Sequence, residues 1–191
     1  TYDASILSQD QKLQKLFEKL AERKILNNTI IILTADHGDE FHEHGSFSHG
    51  QTLYEEVVNV PLIIYYPQEL TPQRIATPVE NMNIFSTTLD LLNIEQPPDV
   101  DSISLLPLIN NGSHDRSYVL SELYGREYLG ETNQKAIRQG NWKLLEVLTK
   151  SQSIPPALFN LNTDPKEQKN LYDSNIEKRQ EMQALLNDVI S

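Results

Sequence analysis

The chain has 191 residues, enough for one domain, or one domain with a small appendage, and for a sizeable buried core. Sixteen basic against 27 acidic side chains give a formal net charge of −11, a surface that repels phosphate backbones and so excludes nucleic acid as a partner. The absence of cysteine removes disulfides, thiolate metal sites and a cysteine nucleophile together, and no apolar stretch reaches the length of a membrane span.

Thr1-Tyr-Asp-Ala-Ser carries no initiator methionine and no signal-peptide apolar region, so the chain is expected to begin inside a longer protein. Ile6, Leu7, Leu13, Leu16, Phe17 and Leu20 recur at helical spacing, which predicts an amphipathic helix over roughly residues 4–24. Asn27-Asn28 breaks it, and the β-branched run Thr29–Thr34 predicts a buried strand. A helix feeding such a strand is half of a βαβ unit, with a parallel strand expected upstream of residue 1. Thr52–Val58 reads as a short helix and Val60–Tyr66 as a second buried strand, with Pro61 at its entry, where a missing N–H is tolerated. The Pro-rich stretch 67–81 reads as a surface loop, residues 83–93 as a helix, and Pro97-Pro98 opens a loop to Gly112.

Beyond that point the pattern changes to four short strand candidates: 117–122, 135–138, 142–147 and 157–161. Gln139-Gly140-Asn141 predicts a hairpin between the middle two. A closing helix over 175–190 carries Ile176, Met182, Leu185, Leu186 and Val189. The expected organisation is α/β, with residues 1–112 in a main domain and 113–191 in a small antiparallel-sheet subdomain backed by the closing helix.

Residues 36–50, Asp-His-Gly-Asp-Glu-Phe-His-Glu-His-Gly-Ser-Phe-Ser-His-Gly, hold four of the five histidines directly after the first strand. Open α/β folds bind ligands at the carboxyl edge of their strands, so this is the natural place for a metal or a charged substrate. Asp36 and His37 are adjacent and point apart on a regular strand; both reach one cation only if the chain turns sharply, which Gly38 permits. Carboxylate plus imidazole suits a borderline or hard divalent cation but needs further donors, with Glu40, Glu43, His42, His44 and His49 at hand. The structural readings stand beside this one. His42 and His44 sit among acids as solvated residues or as partners of Glu40 and Glu43. His49 could cap the next helix, His114 is a loop residue, Trp142 and Tyr118 belong to the sheet core, and Arg138 faces water or an anion.

Asn28-Thr-Ile-Ile-Ile-Leu-Thr-Ala-Asp-His-Gly-Asp, Glu43-His-Gly, His49-Gly and Leu53-Tyr-Glu-Glu ahead of Val60-Pro-Leu-Ile-Ile resemble the type I sulfatases of the alkaline-phosphatase-like superfamily. Ala136-Ile-Arg-Gln-Gly-Asn-Trp-Lys-Leu144 resembles that family's carboxyl-terminal hairpin. Leu158-Phe-Asn-Leu, Asp164-Pro-Lys-Glu167 and Asn170-Leu171 resemble its closing signature. The resemblance implies the carboxyl-terminal part of an alkaline-phosphatase-like α/β/α sandwich, followed by a four-stranded antiparallel sheet with a terminal helix. It implies Asp36 and His37 as ligands of a divalent metal, calcium in the family, and His49 as the catalytic base or acid facing the sulfate ester. A sulfate ester, small molecule or glycan, is the implied substrate, and a periplasmic or secreted location is compatible with it. Asn83, Ser86, Asn93 and Ser102 depart from the family's Asp, Pro, Gly and Gly at positions that read as structural.

The family's formylglycine arises within Cys/Ser-x-Pro-x-Arg, near an Asp-Asp metal pair, and this chain holds neither. The expectation is therefore a sulfuric ester hydrolase seen without its nucleophile, inactive alone, with a missing amino-terminal half as partner. The alternatives are a phosphoethanolamine or phosphoglycerol transferase or a phosphatase of the same superfamily, and a non-catalytic binding or structural module.

Overall fold

The computed structural model describes residues 2–113, 116–125, 133–148 and 154–191; His114 lies outside them. The chain divides into two units, one of Thr1–Thr34 and Pro61–Arg74, the other of Ala35–Val60 and Ile75–Ser191.

In the first unit the apolar spacing produces helix α1, Tyr2–Glu22. A 3-10 turn, Leu26–Asn28, follows, and the Thr29 hydroxyl closes it by donating to the Ile25 carbonyl at 2.7 Å. Strand β1, Ile31–Thr34, pairs antiparallel with β4, Leu62–Tyr65, in the register Ile31↔Tyr65 to Thr34↔Leu62. Both runs read as buried strands, yet all four β1 residues are only half-buried and Ile63 is 55% exposed. A two-stranded ribbon covers neither of its own faces, which explains the difference.

The second unit opens with a hairpin absent from the sequence reading: β2, Glu40–Phe41, and β3, Phe47–Ser48, paired Glu40↔Ser48 and Phe41↔Phe47. Helix α2, Glu55–Val58, is a single turn. Helix α3, Asn83–Leu91, turns a polar face inward: Asn83, Ser86 and Thr87 are buried. That face binds the incoming chain, since Asn83 Oδ1 accepts from the Ile103 amide at 3.2 Å and Thr87 Oγ1 from the Leu105 amide at 2.9 Å. Ser86 Oγ donates to the Ser102 carbonyl at 3.0 Å. Three departures from the family pattern, at 83, 86 and 102, thus form one mutually satisfied seam. The fourth, Asn93, sits at φ +52°, in the left-handed region that asparagine tolerates best after glycine.

Helix α4, Leu106–Asn111, lies where the sequence read as loop. Pro107 fits the helix because proline is tolerated in a first helical turn, and Gly112 at φ +75° closes it. The four-stranded antiparallel sheet follows as expected, β5 (Val119–Leu123), β6 (Gln134–Gln139), β7 (Trp142–Val147) and β8 (Ala157–Asn160), in that spatial order. Gly140 takes φ +57° at the first position of the two-residue β6–β7 loop, which glycine does without steric cost.

Successive residues of a strand point to opposite faces, so Leu144 and Leu145, both fully buried, serve two cores. Leu145, with Ala136, Ala157 and Phe159, packs on Leu53 and Tyr54 ahead of α2. Leu144, with Ile137 and Leu158, packs on Met182 and Leu186 of α5, Ile176–Ile190. Tyr118 and Trp142 pack against that second core, as their sequence context implies. Asn175 caps α5 through its side chain, which accepts from the Lys178 amide at 3.2 Å.

Candidate functional site

The Asp-His-Gly-Asp segment is held from two sides. The Asn81 amide group donates to the Ala35 carbonyl at 2.9 Å, and the Gly38 amide donates to the Val57 carbonyl of α2 at 2.7 Å. Gly38 is required for contact and not for a left-handed turn: a Cβ there would meet the Glu56 carbonyl oxygen at 2.1 Å.

Asp36 and His37 do converge. Asp36 Oδ2 lies 3.7 Å from His37 Nε2, and Oδ1 accepts from the His37 amide at 3.0 Å. His37 Nδ1 lies 3.0 Å from the Gly38 carbonyl oxygen. A carbonyl only accepts, so Nδ1 carries a proton and Nε2 is the ring atom that faces the Asp36 carboxylate. That donor set, carboxylate oxygen plus imidazole nitrogen with the second ring nitrogen tied to the backbone, fits a divalent cation.

His49 joins the same cluster from the other end of the hairpin. Its ring stands 4.0 Å from the His37 ring, and its Nδ1 donates to Asp39 Oδ1 at 2.9 Å. His49 therefore does not cap α2. The pairing leaves Nε2 of His49 free and fixes the ring. His37, Asp39 and His49 each place one ligand-capable atom within 4.8 Å of the others. The group is open to solvent, with side-chain exposures of 89% for Asp36, 40% for His37 and 50% for His49.

Asp39 was missed by the sequence reading, although it adjoins Asp-His-Gly. The signal lay in a register, residue 39 opposite residue 49 across the hairpin, which two-residue strands are too short to announce. Glu40, a nominal donor, is fully buried and already committed: its Oε1 accepts from the amides of His44 (3.0 Å) and Ser46 (2.7 Å), and its Oε2 from the Thr52 hydroxyl (3.0 Å). Glu43 accepts from the Phe41 amide. His42 is exposed on the hairpin loop beside Phe47.

A second group of the described residues, Glu40, His44 and Glu56, also clusters, but its own hydrogen bonds close it. His44 Nδ1 donates to Glu56 Oε1 at 2.6 Å and Nε2 to the Glu167 carbonyl at 3.1 Å. Both partners can accept, so protonating the ring lets both nitrogens donate at once. Burial opposes that charge, but the Glu56 carboxylate and the Glu167 carbonyl outweigh it and hold the imidazole above its ordinary value. His44 is thus scaffolding, with Glu56 as partner in place of Glu40 or Glu43. Its ring stacks on Tyr54, whose hydroxyl is pushed up by burial and by the surrounding carboxylates.

Behind α2 lies an ion network. Lys143, 2% exposed, places Nζ 3.0 Å from Glu55 Oε1 and 2.8 Å from Glu167 Oε1. Arg138 contacts Glu55 Oε2 at 3.1 Å, so its guanidinium is spent on a carboxylate of the chain itself. Burial lifts the Glu167 carboxyl above the usual range against the pull of Lys143.

The sulfatase family model matches residues 1–94. Mouse arylsulfatase K is 32% identical over 178 residues, 89% of this chain and 32% of the relative. The choline-sulfatase of Rhizobium meliloti is 31% identical over 179 residues, 91% of this chain and 33% of the relative. A solved structure in complex with its substrate D-glucosamine-2-N,6-O-disulfate superposes with a TM-score of 0.85 at 28% identity, covering 96% of this chain and 38% of that one. A 2-O GAG sulfatase matches with a TM-score of 0.81 at 27% identity, over 94% of this chain and 40% of that one.

The chain belongs to the sulfatase family. Its fold is that of the alkaline-phosphatase-like sulfatases, with the four-stranded antiparallel sheet and terminal helix expected of them. The chain spans about a third of the length of the curated relatives it matches. Among the described residues no helix is long and apolar enough to cross a membrane.

Proposed function

We propose that this sulfatase chain carries the cation-binding and ester-facing portion of a sulfuric ester hydrolase. Asp36 and His37 are the metal ligands in this reading, calcium is the cation, and His49 is the catalytic group. The observation that carries it is the pairing of Asp36 Oδ2 with Nε2 of His37 at 3.7 Å, with the His49 ring alongside. When bound, the cation withdraws charge from sulfate oxygens. The chain's own part is geometric and protic: Asp36 and His37 hold one edge of the site. His49, oriented by Asp39, presents Nε2 to the departing oxygen of the ester; as the imidazolium it gives its Nε2 proton to that oxygen and keeps the Nδ1 proton on Asp39.

A sulfate ester substrate accords with the substrate complex of the related structure. The chain contains no cysteine and no Ser-x-Pro-x-Arg, so it supplies no formylglycine of its own. Residues 1–112 fall to the main catalytic domain and 113–191 to the small sheet subdomain in this reading.

Calcium titration of the chain tests the ligand assignment. Asp36→Ala and His37→Ala are expected to weaken binding roughly 10-fold or more; unchanged affinity in both would overturn it. The 191-residue chain by itself is expected to leave an aryl sulfate intact, and metal-dependent cleavage by it would contradict this account. In a longer sulfatase chain containing this segment, His49→Ala is expected to lower turnover of that ester about 100-fold or more.

A further inference from the structure

Helix α2 is one turn long, too short to be stable from its own hydrogen bonds. Its carbonyl at Val57 nevertheless holds the Gly38 amide, between His37 and Asp39, at 2.7 Å. What holds α2 therefore matters to the site. The answer comes from far along the chain: Glu167 Oε2 accepts from the Glu55 amide, the first of the helix, at 2.6 Å across 112 residues. The other oxygen of the same carboxylate takes Lys143 Nζ at 2.8 Å, which also binds the Glu55 side chain. The backbone carbonyl of Glu167 receives His44 Nε2, and His44 Nδ1 in turn holds Glu56. One residue thus grips the first two positions of α2 by three routes. It does so from φ +52°, a left-handed conformation that disfavours glutamate and is sustained by its surroundings.

We propose that Glu167 is a positioning residue for the Asp36–His37–Asp39–His49 cluster, acting through α2 and Gly38; this rests on the reading of that cluster as a cation site. The Asp164-Pro-Lys-Glu167 turn is then the device by which the small sheet subdomain sets the register of the metal loop. Asp164 prepares it, accepting from the amides of Gln168 (3.1 Å) and Lys169 (2.7 Å), which fixes the turn that presents Glu167.

The test uses the 191-residue chain with histidine imidazole resonances followed by NMR and Mn²⁺ as the paramagnetic probe, since carboxylate-rich calcium sites accept it. Glu167→Ala removes the carboxylate. Glu167→Asp keeps the charge near Lys143 and a residue that tolerates positive φ, but withdraws the oxygen from the Glu55 amide. Both are expected to shift the His37 and His49 resonances. Both are also expected to raise the Mn²⁺ concentration for half-broadening about 2- to 30-fold. Glu167→Gln keeps an acceptor for the Glu55 amide while losing the ion pair. It is expected to restore both site readouts to near wild type although its thermal stability falls.

Folded Ala and Asp variants with wild-type His37 and His49 signals and wild-type half-broadening would overturn the proposal. So would a Gln variant displaced as far as Ala, because the site would then be following general loss of stability. Asp36→Ala separates the underlying reading: unchanged broadening there refutes the cation site. The imidazole shifts still judge Glu167 in that case.

Discussion

The Gly38 amide donates to the Val57 carbonyl at 2.7 Å, and any side chain at residue 38 would strike the neighbouring Glu56 carbonyl. The Asp-His-Gly loop and α2 are therefore in backbone contact, a relation that leaves no room for a methyl group. Backbone cannot rotate aside as a flexible side chain would. Gly38→Ala is expected to cost about 1–3 kcal/mol in urea denaturation and to displace the His37 imidazole resonances. Wild-type stability and spectra in that variant would mean the contact is looser than the geometry states.

Asp39 fixes the tautomer of His49 in this arrangement. Removing the carboxylate in Asp39→Ala leaves His49 Nδ1 with only the Ser48 hydroxyl at 3.3 Å. The ring should then populate the Nε2–H form more heavily in ¹⁵N spectra, whereas Asp39→Asn keeps an acceptor oxygen and should behave like wild type. Identical tautomer populations in the Ala variant would remove Asp39 from its orienting role.

Glu40 organises the hairpin from inside, with three donors on one buried carboxylate. Glu40→Ala orphans two amides and a hydroxyl, each costing about 1–3 kcal/mol when buried without a partner. The expected loss is about 2–4 kcal/mol after partial relaxation, measured as a shift in the denaturation midpoint. Glu40→Gln, which retains one acceptor oxygen, should lose less. A neutral Ala substitution would show that water reaches the site.

His44 makes stability depend on pH. Its folded pKa lies above the unfolded value of 6.5, so the folded chain binds the proton more tightly. The contribution is complete below pH 6.5 and is lost as pH rises through the folded pKa. The charged groups facing it are Glu56, Glu167 and Glu40, with Tyr54 stacked on the ring. Thermal denaturation of wild type and His44→Gln from about pH 6 to about pH 9 should show a falling advantage for wild type. Parallel curves would place the charge elsewhere.

Much of this protein is legible without coordinates. The helical spacing of Leu13, Leu16, Phe17 and Leu20 gives α1, and the Gly140-Asn141 turn gives the β6–β7 hairpin. The closing apolar series around Met182 and Leu186 gives α5. Local periodicity and turn chemistry decide such elements, because each depends on residues a few positions apart. Asp-His-Gly likewise marks its own loop, and Asp36 approaches His37 because the strand has ended at Thr34 before they are reached. The β2–β3 hairpin and α4 escaped, the first because two-residue strands have no period, the second because the loop opened by Pro97-Pro98 is carried on to Gly112 over a helix of under two turns.

Only the tertiary structure decided what holds the Asp36–His37 cluster in shape. Asp39 with His49, His44 with Glu56, and Glu167 with the Glu55 amide are pairs separated by 10, 12 and 112 residues. Each partner is an ordinary charged residue in the sequence. Its role comes from hydrogen-bond geometry that exists only in the folded chain, and for Glu167 from burial as well. The sequence alone gathered carboxylates and imidazoles after the first strand; the packed fold decided which of them stay exposed and which are spent on holding the loop.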